Sequence, residues 1–95
     1  METLKDIAEA QWAWVERMGW HNGTVLEKLA LVASEVGEAI NECRQEEPSP
    51  AFGSELADII LRVVDIAEEQ GIDIEKEIFT KMAVNEKRGT RGRVK

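Results

Sequence analysis

Apolar residues recur every three to four positions through four successive segments of this chain, and nowhere do they alternate with polar ones. That periodicity restricts the fold to packed helices. Leu4, Ile7, Ala8, Gln11, Trp14, Val15 and Met18 mark one face of a helix from about Thr3 to Met18, closed by Gly19. After a turn-like Trp20, His21, Asn22 and Gly23, the pair Thr24 and Glu27 has capping-box spacing and predicts the start of a second helix. Its apolar positions Leu26, Leu29, Ala30, Ala33, Val36, Ile40 and Cys43 carry it to about Gln45. Pro48 and Pro50 then interrupt the pattern, and Ser49 as cap with Pro50 at the first helical position predicts a third helix over 50–70. A fourth follows Asp73, carries Ile74, Ile78, Phe79 and Met82, and ends near Arg88.

Four helices joined by short loops read as an all-α, antiparallel four-helix bundle, and 95 residues suffice for one such domain. The second and third helices are apolar over wide arcs, and a domain this small buries a limited fraction of its surface alone. A homodimer or homotetramer is therefore expected. The sequence contains no apolar run near the roughly 18 residues that suggest a membrane span, nor a secretory-type start, so a cytoplasmic protein without a membrane partner is expected. Cys43 is the single cysteine, which excludes an intrachain disulfide and reads as a small buried hydrophobe.

The net charge of -7 is unevenly spread: residues 81–95 carry +5 and residues 1–80 carry -12. Such a body is a poor binder of nucleic acid, whose affinity comes from Lys and Arg neutralising phosphates. A domain over 1–89 followed by a basic, mobile tail over 90–95 is expected, because the tail lacks apolar anchors.

Within the acidic body, Glu35 and Glu38 lie three apart on the second helix, and Glu55 and Asp58 three apart on the third. Each pair projects from one face of its own helix, beside the apolar stripe. At an effective dielectric of about 20, two like charges roughly 4 Å apart repel by about 4 kcal/mol, so carboxylates that meet across a seam need a cation, protons or distance. Magnesium, a hard ion with oxygen ligands, suits a site without His or Cys. Spacing alone leaves the alternative standing that these are solvated glutamates in an acidic helical protein. Glu42, four beyond Glu38, reads as a solvated charge or a fifth ligand. Asp65, three after Arg62, reads as its ion-pair partner.

The run Ser34-Glu35-Val36-Gly37-Glu38-Ala39, followed by Glu55-Leu56-Ala57-Asp58-Ile59-Ile60, resembles the ExxE and ExxD blocks of the MazG-like, all-α nucleoside triphosphate pyrophosphohydrolases. Lys81, Asn85 and Arg88 resemble that family's K-x3-N-x2-R pattern, and the order of elements is similar from the Trp-rich first helix to Arg88. The resemblance implies magnesium, with manganese as a substitute, on Glu35, Glu38, Glu55 and Asp58, with Glu35 and Glu38 as the catalytic pair. It implies hydrolysis of an NTP or dNTP to a monophosphate and pyrophosphate, with Lys81, Asn85 and Arg88 on the phosphates. Cations near a helix C-terminus are the plainer account of Lys81 and Arg88. One departure stands out: Ser34 occupies the position where many relatives carry a further Glu.

Base recognition falls to the aromatic residues near the first turn. Trp14 lies on the core stripe and reads as packing, whereas Trp12 and Trp20 are the candidates for stacking on a base. His21 and Asn22 read equally well as turn residues. Two other functions are compatible with the chain: a phosphoribosyl-ATP pyrophosphohydrolase, and a non-catalytic acidic module that oligomerises or binds a basic partner.

Overall fold

In a computed structural model, which describes residues 3–89, each helix begins where a side chain can satisfy its free amides, with one exception. Thr3 caps α1 (Leu4–Arg17) by accepting from the Asp6 N–H at 3.1 Å, while the Asp6 carboxylate accepts from the Thr3 N–H. Thr24 and Glu27 form the same reciprocal box at the start of α2 (Val25–Asn41), as their spacing predicts. Asp73 caps α4 (Ile74–Arg88) through the Lys76 N–H. Gly19 and Gly71 take positive φ of 77° and 71° just beyond α1 and α3, where a side chain would be strained.

The exception is α3 (Phe52–Glu69). Its N-cap is Ala51, without a side-chain hydrogen bond, so the helix does not begin at Pro50 with Ser49 as cap. Ser49 is engaged instead in the turn: its Oγ accepts from the Ala51 N–H at 3.1 Å, and its hydroxyl donates to the Glu42 carboxylate. The same turn shortens α2, which ends at Asn41 rather than near Gln45. Cys43 consequently falls outside the helix and is exposed, contrary to its expected burial.

The outcome is an all-α four-helix bundle with α3 as its hub. Helix α3 packs along α2 on one side and α1 on the other, whereas α1 and α2 do not approach each other closely. Helix α4 reaches α1 and α3 but not α2. Its first turn is fixed by Glu75, which accepts from the Lys5 N–H at 3.1 Å, a carboxylate placed at the positive end of α1.

The buried core consists of Ala8, Val15, Ala39, Val64 and Ala67, together with Asp65. Large apolar side chains remain in solvent: Leu26 is 77% exposed, Ile40 64% and Phe79 63%. No residue of α4 is buried. Among the described residues, no helix is long and apolar enough to cross a membrane. The basic segment 90–95 lies outside the described residues.

Candidate metal centre and its cleft

Because α1 and α2 both rest on α3 without meeting, a cleft of about 770 Å³ opens between them. Gln11, Trp14 and Val15 line it from α1, Trp20 and Asn22 from the turn, Lys28, Leu31 and Glu35 from α2. Asp58, Leu61, Arg62, Asp65 and Ile66 of α3 complete it. The wall is mixed, with apolar and aromatic surface and a few convergent polar groups, which is the usual composition of a small-molecule site.

At the α2–α3 side of this cleft, Glu35, Glu55 and Asp58 bring one carboxylate oxygen each within 4.8 Å of one another. The three-residue spacing of Glu55 and Asp58 puts both on one face of α3, and the α2–α3 packing sets Glu35 opposite. Glu38 is outside this triple, though its charge is felt there. Glu55 titrates above its ordinary 4.5, through desolvation first and then through repulsion from Asp58, Glu38, Glu35 and Glu42. The donors of this cluster are all hard oxygens of the kind that hold magnesium.

One cation does reach the cluster. Arg62 Nε donates to Glu35 Oε2 at 2.8 Å. This corrects the expected pairing of Arg62 with Asp65. Sequence spacing favoured a neighbour three residues away on the same helix, but both side chains turn toward groups on other elements.

Asp65 belongs to a separate polar assembly. It is 8% exposed, and its Oδ1 lies 2.8 Å from His21 Nε2, while His21 Nδ1 lies 2.7 Å from Glu16 Oε1. A neutral imidazole donates through one nitrogen only, so two carboxylate partners select the doubly protonated ring. Burial lowers the His21 pKa, but hydrogen bonds to Asp65 and Glu16 and the Asp65 charge outweigh that, against a smaller opposing effect of Lys28. The result lies above the ordinary 6.5. His21 is thus a tie between the end of α1, the turn and α3, a role beyond that of a turn residue.

The tryptophans sort differently from their positions in the sequence. Trp12 stacks on the His21 ring with centroids 5.1 Å apart, and its Nε1 is buried without a partner. It does not line the cleft. Trp14, expected in the core, is 41% exposed, lines the cleft and meets Trp20 edge-to-face at 5.2 Å. Trp20 and Asn22 stand in the cleft wall. Lys81, Asn85 and Arg88 are exposed on α4, which does not approach α2, and none lines the cleft.

Comparison with protein-family models, curated proteins and solved structures finds no match to this chain. The fold and site define, on their own, an all-α domain with a carboxylate triple at the edge of an aromatic-walled cleft. Such a triple has the donors to hold a divalent metal.

Proposed function

We propose that the chain is a magnesium-dependent nucleoside triphosphate pyrophosphohydrolase of the MazG-like kind. The observation that carries this reading is the meeting of Glu35, Glu55 and Asp58 beside a cleft large enough for a nucleoside. Bound there, a divalent ion supplies Lewis-acid polarisation of phosphoryl oxygens and lowers the pKa of a water. Glu35, Glu55 and Asp58 are the ligands in this reading. Glu38, close enough to raise the Glu55 pKa, is the further carboxylate available to the metal or to the attacking water. Water divides the triphosphate into a nucleoside monophosphate and pyrophosphate.

Trp14 and Trp20 offer ring faces or edges to a base, with Gln11 and Asn22 as amide groups able to read its hydrogen-bonding edge. Trp20 keeps its expected role, and Trp14 takes the one expected of Trp12, whose face is occupied by His21.

The active form in this reading is a homo-oligomer. Exposed Leu26, Leu29 and Ile40 on α2, and Phe79 and Met82 on α4, supply apolar surface for a second copy. Lys81, Asn85 and Arg88 retain their proposed phosphate role in that assembly, where the α4 of one subunit is free to approach the cleft of another. The same apolar surface favours a second reading, a non-catalytic oligomerising module.

A panel of canonical and modified nucleotides with magnesium, read by pyrophosphate release, separates the two. Turnover that falls at least about a hundredfold in Asp58→Asn with helicity unchanged is the expected result. No release from any nucleotide on the panel would favour the module.

A further inference from the structure

Among the described residues the cleft is lined by two cations, Lys28 and Arg62, and they are differently committed. Lys28 Nζ is engaged by Glu69, with its side chain only 12% exposed. Arg62 has a single partner among the described residues, Glu35, which it meets through Nε. Both terminal nitrogens of its guanidinium are without a protein partner there, and the side chain is 42% exposed.

We propose that Arg62 is the anion-binding residue of the cleft, positioned by Glu35 to take a phosphate oxygen pair beside the metal. This rests on the metal-centre reading above. The guanidinium is planar, so holding Nε also orients the two terminal nitrogens as a fork, the geometry that matches a phosphate with parallel hydrogen bonds. Arg62 follows Asp58 by four residues and Glu55 by seven, which puts all three along one face of α3. A phosphate drawn to a cation held by Glu55 and Asp58 would therefore arrive about one to two helical turns from Arg62, on the same face. Three carboxylates with oxygens within 4.8 Å of one another repel an anion, so a polyphosphate needs positive charge on the cleft floor. Among the described residues lining the cleft, Arg62 is the more exposed cation, 42% against 12% for Lys28, and the one that offers a planar fork of donors. Lys81, Asn85 and Arg88 do not line it.

The test is calorimetry on the full chain in two stages, magnesium alone and then inorganic pyrophosphate at saturating magnesium, for wild type, Arg62→Gln and Arg62→Lys. Removing a charge-assisted contact weakens binding by about ten- to a hundredfold, so Arg62→Gln loses pyrophosphate affinity on that scale. Its magnesium affinity holds or rises, because Glu35 no longer shares its charge with an arginine. Arg62→Lys recovers part of the loss, since a lysine restores the charge without the fork. A merely structural arginine gives no such opposition between the two stages. Pyrophosphate affinity within about twofold of wild type in Arg62→Gln, with magnesium uptake intact, overturns the assignment and leaves the metal centre standing. Wild-type protein that takes up no magnesium removes the metal centre and the anion site together.

Discussion

The tie made by His21 lends itself to a quantitative test of the fold. In His21→Ala the Asp65 carboxylate keeps its burial and loses the partner 2.8 Å away, while the Glu16 arm, with 55% of the Glu16 side chain exposed, is left to water. A hydrogen bond to a charged group contributes about 1.5 to 3 kcal/mol, and the exposed arm adds at most about 1 kcal/mol. A cycle with Asp65→Asn isolates the buried arm, so the coupling between the two positions should be about 2 kcal/mol. In a domain of this size that is a sizeable part of a total of roughly 5 to 14 kcal/mol, and it lowers Tm by roughly 10 °C. The pH dependence has a fixed sign. Because the folded pKa of His21 is raised above 6.5, the stabilisation is fully present below 6.5 and is lost as pH rises through the folded value. Urea denaturation of the four proteins at about pH 5.5 and about pH 9 measures both quantities. A coupling under about 0.5 kcal/mol at the lower pH, or one of equal size at both, would refute the argument that an imidazolium holds the turn to α3.

Glu55→Gln should act with opposite signs on stability and metal uptake. With a pKa raised above 4.5, Glu55 contributes stability present below that value and lost as pH rises through its folded pKa; the amide removes the loss and raises the neutral-pH Tm of the metal-free protein, while weakening magnesium binding. Thermal melts with and without magnesium check both halves. Wild-type protein at micromolar concentration should sediment as a dimer or tetramer, and Phe79→Asp or Leu26→Asp should shift it toward monomer in analytical ultracentrifugation, because each puts a charge on the most exposed apolar surface.

What the sequence made legible was largely what is local. The capping box at Thr24, the Asp73 cap and the glycine stops involve residues within a turn of one another, so spacing alone locates them. The acidic pairs were legible for the same reason, and Glu55 with Asp58 needed only one partner from α2 to become a cluster. What escaped was set by packing across the chain. Glu35 and Arg62 are 27 positions apart and His21 and Asp65 are 44 apart; nothing in their spacing says that they meet. The local pairing read at Arg62 pointed to Asp65, and tertiary contacts overrode it. Trp14 sits on the apolar stripe of α1, yet where that stripe leaves the α3 seam it borders an open cleft that α2 does not close over.

The central position of α3 has a consequence for how such a chain can change. The carboxylate triple spans the α2–α3 seam, whereas Trp14, Trp20 and the His21 tie belong to α1, its turn and their contacts with α3. With α1 and α2 not leaning on each other, a substitution in α1 can reshape the aromatic wall without passing strain to the acidic cluster. The aromatic wall and the acidic cluster then lie on two separate joints of one axle, and either can drift while the other stays in register.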